Sequence, residues 1–139
     1  MVHALDEIRR VLVPQGTLID LRPLADRWQV EVVSGNGTAE TGRVNDLPEQ
    51  VDGDVAANEA MRQAEARGWF ARQQEEFFPF FYSWDTPSEM EEFVRSDWGG
   101  FIELGEEARL KTRSAWALAD ADSRVRVRVK MLITEWIKL

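Results

Sequence analysis

The chain has 139 residues, 44% of them hydrophobic with six Trp and seven Phe, and its 25 acidic residues against 17 Lys and Arg give a net charge of −8. A domain of that size removes roughly 68% of its unfolded surface from water, which supports a real core and excludes global disorder. The acidic balance disfavours binding to a nucleic-acid backbone, and the lack of Cys excludes disulfides, thiolate zinc sites and a cysteine nucleophile.

In chain order, Leu5, Ile8, Val11 and Leu12 recur at helical spacing between Ala4 and Leu12, with Asp6, Glu7, Arg9 and Arg10 on the other face. The same charges interrupt any signal-peptide core, and no run approaches the ~18–20 apolar residues that cross a bilayer, so a cytoplasmic protein with no membrane partner is expected. Pro14-Gln15-Gly16 is a turn, and Thr17–Leu21 reads as a strand ended by Arg22-Pro23. Trp28–Val32 alternates with period two, Ser34-Gly35-Asn36-Gly37 tolerates positive φ, and Thr38–Val44 extends again, which predicts a hairpin. Asn45–Asp54 reads as a loop, with Asp54 capping a helix from Val55 to Arg67 that Gly68 ends.

Phe77–Trp84 is apolar on both alternating faces, as in a strand covered on both sides, and Pro79 places it at a sheet edge. Thr86 and Glu89 form a capping box around Pro87, opening a helix that runs to Asp97, and Trp98-Gly99-Gly100 breaks it. Glu106–Ala119 is helical again, with Leu110, Ala117 and Leu118 among its inward candidates. In the last strand Val125, Val127, Val129, Met131 and Ile133 share one face, with Arg124, Arg126, Arg128 and Lys130 on the other. The expectation is one domain over residues 1–139, α/β or α+β, with helices covering a mixed sheet built from the strands near Thr17, Phe77 and Val125 plus the hairpin.

The residues from Ala4 to Asp20, with an acidic helix, Arg10-Val11-Leu12, Pro14-Gln15-Gly16 and an apolar strand, resemble the approach to and the fifth strand of class I S-adenosylmethionine-dependent methyltransferases. Gln15 stands where that family has the first Gly of its turn. The remainder is similar in element order alone, with a last strand that in the family runs antiparallel between the fifth and sixth. The resemblance implies a Rossmann-like C-terminal half. The family grips its cofactor through a glycine-rich turn after the first strand and an acidic residue after the second, both ahead of the fifth strand. A chain opening at the fifth-strand helix carries neither, so no cofactor is expected in the isolated chain unless a partner supplies the S-adenosylmethionine site. Ser34–Gly37 is no substitute, because it lies between two strands.

Function is therefore expected to be that of a methyltransferase-related half-domain, inactive alone: a substrate-side subunit, a fragment or a remnant. The alternative is a non-enzymatic module binding a small ligand or a protein. The Thr17–Leu21 edge, deprived of the family's fourth strand, is expected to pair in a homodimer or with a complementary methyltransferase domain. No catalytic residue is assigned. Asp20 and Arg22, at the carboxyl end of a strand expected to be parallel, are candidates for substrate contact, against the plainer alternative of a strand end and a turn. Tyr82 and Trp84, with Phe77, Phe78, Phe80 and Phe81, line a pocket in one interpretation and form core in the plainer one. The basic face of the last strand binds an acidic partner, or is solvated or packed against acids of neighbouring helices. His3 with Glu7 is a conceivable general base, more simply a frayed terminus. Asp52 and Asp54 around Gly53 are a weak fragment of a calcium loop, and no metal site is expected.

Overall fold

The computed structural model describes residues 2–139, in the order α1 (Val2–Val11), β1 (Thr17–Pro23), β2 (Gln29–Ser34), β3 (Gly37–Arg43), β4 (Asn45–Asp46), α2 (Pro48–Ala66), β5 (Phe70–Trp84), α3 (Pro87–Asp97), β6 (Ile102–Glu103), α4 (Glu106–Leu118) and β7 (Arg124–Lys138). This is an α+β chain. Every strand pair with a defined register is antiparallel; the β1–β7 pair runs as the resemblance implies for the last strand, and β1 has no parallel partner among these pairs. Two compact units form, one from the chain up to Leu24 with Asp52–Phe78 and Met131–Leu139, the other from Ala25–Val51 and Pro79–Lys130. No helix of the described residues is long and apolar enough to cross a membrane.

In the first unit, α1 buries Leu5 and packs Ile8 and Leu12 beside it, whereas Val11, expected on that face, is 66% exposed. The last carbonyls of the helix are taken up by Lys138, whose Nζ donates to the Arg9 and Leu12 oxygens at 2.6 Å each, a cation where the helix dipole favours one. Gln15 adopts a φ of 64° in the turn that follows. The turn is stitched to β7 by Gln15 N to Lys138 O at 3.1 Å and Lys138 N to Gly16 O at 2.9 Å. β1 then pairs with β7 from Thr17↔Ile137 to Pro23↔Met131. Leu5, Ala60, Met61, Ala64, Phe70 and Trp136 make the core. Gly68, at φ 70°, ends α2, and Trp69 behind it lies under the guanidinium groups of Arg9 and Arg67 at 5.3 and 5.0 Å.

In the second unit, the hairpin turns at Ser34–Gly37, with Gly37 at φ 127°, and β2 pairs with the first half of β7, Val30↔Val127 and Val32↔Val125. These valines and Val129 are buried. A Cβ on Gly42 would lie 2.6 Å from that of Ala108, so only glycine lets β3 meet α4 this closely. The Thr41 and Thr112 hydroxyls, 2.6 Å apart, join the same two elements in a buried setting. The Thr86 hydroxyl accepts from Glu89 N at 3.2 Å, and the Glu89 carboxylate returns to the backbone N–H of Asp85 at 3.1 Å, one residue before the cap. β4 and β6 form a separate two-stranded ladder.

Four expectations need correction. α2 starts at Pro48, seven residues before Val55. Pro needs no N–H in a first turn, and the Leu47 carbonyl receives Gln50 N and Val51 N, so Asp54 lies inside the helix and is not its cap. β5 starts at Phe70 and is not covered on both sides: from Arg72 to Ser83 every residue is exposed, and Phe77 and Phe80 show 56% and 49% of their surface. In β7 burial follows Val125, Val127 and Val129, then slips by one residue to Leu132, Thr134 and Trp136, leaving Met131 and Ile133 outside the buried set. Such a slip inverts which residues a strand buries, and a single-face reading of the sequence misses it. In α4, Ala108 and Thr112 are buried, whereas Leu110 and Leu118 are exposed at 50% and 90%.

Candidate functional site

Asp20 and Arg22 share the face of β1 that carries Leu18, and in register they stand opposite Thr134 and Leu132. Arg22 Nε donates to both oxygens of Asp20 at 3.2 Å, and Nη2 donates to Asn58 Oδ1 on α2 at 2.7 Å. Only 17% and 18% of the Arg22 and Asp20 side chains remain exposed. Arg22 Nη1 is buried and has no hydrogen-bond partner, leaving two N–H donors of a mostly buried guanidinium unspent. Buried donors are nearly always satisfied, so this group is the most suggestive polar feature of the first unit. Both Asp20 oxygens are committed to the arginine, which suits the pair to recognition of an acceptor group rather than to proton transfer. Asn58 and Thr134, whose hydroxyl donates to Glu75 at 3.4 Å, are partners that the sequence did not reveal; they become neighbours only through the β1–β7 register and the placement of α2.

Tyr82 and Trp84 come together in the second unit, their rings stacked at 6.3 Å and 20°. They do not frame an open pocket. Trp98, the C-cap of α3, stands edge-on to Tyr82 at 4.8 Å, Phe93 at 5.0 Å, Trp28 at 5.3 Å and Trp84 at 6.1 Å. Edge-to-face rings at these distances are mutually satisfied. A cluster formed around Trp98 was hidden from sequence reasoning, because its members come from β5, α3 and the start of the hairpin.

The basic face of β7 finds its acids on a strand and in loops, not on the helices expected. Arg126 and Arg128 donate to Glu31 of β2 at 2.6 and 3.2 Å, and both guanidinium groups lie over the Phe81 ring at 4.2 and 5.1 Å. The Glu31 side chain is 2% exposed. Arg124 meets Asp85 at 3.2 Å and Lys130 meets Asp26 at 3.6 Å. These charges are used internally.

A groove of about 440 Å³ opens between α3, β6 and α4, with an apolar floor of Leu47, Val94, Ile102 and Leu104. On its wall Glu91 receives Arg113 at 2.7 and 2.6 Å, and this guanidinium holds the Glu91 carboxyl below its ordinary value. Arg109 is similarly engaged by Glu106. No residue singled out from the sequence lines it.

His3 is exposed on α1. Asp52, Gly53 and Asp54 are helical, so the calcium-loop fragment is not a loop, and among the described residues no group of three or more His, Asp or Glu is arranged to hold a metal. The glycine-containing turn at Ser34–Gly37 joins β2 to β3 and leads into no helix. No family model, no curated protein and no solved structure matches this chain.

Proposed function

We propose that these residues are the substrate-side half of a methyltransferase-like domain, cytoplasmic and without affinity for nucleic acid, and that they carry no methyl transfer of their own. The observation that carries this is the order of strands around β7, which pairs antiparallel with β1 and also pairs with β5, as the last strand of the resembled family lies between its fifth and sixth. The turn before β1 adds support, because Gln15 holds a positive φ where that family has glycine. Asp20, Arg22 and Asn58 then stand at the end of the strand corresponding to the fifth, beside the place of the methyl acceptor, with the Arg22 guanidinium held by Asp20 and Asn58. S-adenosylmethionine is supplied by other polypeptide, docked on the edge of β1 from Thr17 to Leu21, which has no second strand neighbour among the described residues. Calorimetric titration of the chain with S-adenosylmethionine is expected to give no binding heat at micromolar concentrations; a one-to-one isotherm there overturns the proposal.

One observation favours a second possibility, a non-enzymatic module for a small ligand. The groove floored by Leu47, Val94, Ile102 and Leu104 has the volume of a small-molecule site. In that case Val94→Arg abolishes binding of a small apolar probe such as anilinonaphthalene sulfonate, while Arg22→Met leaves it unchanged.

A further inference from the structure

We infer that the groove between α3, β6 and α4 binds a monocarboxylate with an aliphatic body, its carboxylate held by Arg95. This rests on the second possibility above, a module for a small ligand, and names the class of that ligand. All the residues concerned belong to the second unit. A space of about 440 Å³ floored by Leu47, Val94, Ile102 and Leu104 suits an apolar body. Val94 and Ile102 are buried, whereas Leu47 and Leu104 are half-buried and keep apolar surface open. Gly99 lines the same groove. A Cβ there would strike the Arg95 carbonyl oxygen, so only glycine lets the chain leave α3 this tightly on its way to β6.

The class of ligand follows from the charges on the groove, which are Glu91, Arg95, Glu103 and Arg109. Arg109 is held by Glu106 through two hydrogen bonds, and Glu91 by Arg113 through two more. Arg95 stands four residues after Glu91 on α3, the spacing at which a helix ordinarily pairs an acid with a base. Arg113 reaches across from α4 and takes that carboxylate instead. Arg95 is thereby left exposed in the last turn of α3 with no ion pair among the described residues. A guanidinium fork meets a carboxylate in two parallel hydrogen bonds. Glu103 is the other unpaired charge, and it alternates on β6 with the buried Ile102, so it meets the groove at its rim. One free arginine with a carboxylate nearby suits a monoanion better than a phosphate dianion. An amine would meet Arg95 as a like charge, and an uncharged apolar molecule would leave the guanidinium unanswered.

Titration of the isotope-labelled full chain with octanoate and with octanol, followed by amide chemical shifts, tests it. Octanoate is expected to move the amides of Val94, Ile102 and Leu104 and to bind roughly tenfold more tightly than octanol. Arg95→Met is expected to abolish that preference while octanol binds as before, which also shows the variant to be folded. Arg113→Met returns Glu91 to Arg95 and is expected to weaken octanoate several-fold without affecting octanol. Octanol binding as tightly as octanoate, or a preference that survives Arg95→Met, overturns the inference and leaves the small-ligand module standing. If neither probe moves an amide of the groove, both fall.

Discussion

At Gln15 the backbone takes a φ of 64°, a conformation that costs a residue with a Cβ of order 1–2 kcal/mol. Gln15→Gly is accordingly expected to raise stability by about 1 kcal/mol in urea unfolding, after the larger unfolded-state entropy of glycine is set against the relief. Gly16→Ala acts the other way, because its Cβ would lie 2.8 Å from the Val13 carbonyl oxygen; a loss of about 1–3 kcal/mol is expected. Glu31 offers a second test at this scale. With its carboxylate 2% exposed between Arg126 and Arg128, Glu31→Ala leaves two guanidinium groups side by side, and about 2–4 kcal/mol should be lost. A loss under ~0.5 kcal/mol would mean the pair behaves like a surface ion pair. The sequence shows the alternation of Glu31 with valines, and of the arginines with Val125, Val127 and Val129, but not that these two polar stripes face each other. That depends on the β2–β7 register, a non-local quantity. Arg22 was legible as a candidate from its place at the strand end; its unspent Nη1 was not.

Among the elements, the helices with a local signal were the most legible. Thr86, Pro87 and Glu89 mark the start of α3, and Gly68 marks the end of α2. The start of α2 is hidden in the sequence because Pro48 and Gly53 are common loop residues, although Pro is at home in a first helical turn and Gly53 would accept a Cβ without contact. The first half of β5 was missed because Arg72–Glu76 is exposed on both faces and shows no alternation to detect. Between α3 and α4 the tie is ionic, Arg113 to Glu91, with 16% of the Glu91 side chain exposed. Since this partner lowers the Glu91 carboxyl below its ordinary value of 4.5, the folded state binds that proton less readily than the unfolded chain. Its contribution to stability is therefore complete above pH 4.5 and is lost as pH falls through the lower, folded value. Arg113→Met should flatten the acid limb of stability against pH below 4.5 while changing its slope near neutrality little. An unchanged acid limb, followed by chemical denaturation at each pH, would exclude this tie as a source of acid sensitivity.

For the whole molecule, composition indicated a folded chain with a substantial apolar content, and the element order α1, β1, hairpin, α2, β5, α3, α4, β7 was readable with shifted ends. What the sequence did not disclose is how burial is shared along β7, whose inward positions slip from odd to even residues after Lys130. Hydrophobic periodicity assigns one buried face to one strand, and a strand that serves two cores violates that assumption. The aromatic run of β5, which its apolar alternating faces present as a strand covered on both sides, is instead exposed from Phe77 to Ser83. The proposed division of labour, in which these residues present an acceptor side and other polypeptide holds the cofactor, is tested most directly by hydrogen–deuterium exchange of the chain with and without saturating S-adenosylmethionine. Identical exchange along the described residues is the expected result; slowed exchange confined to any segment of this chain alone would contradict it.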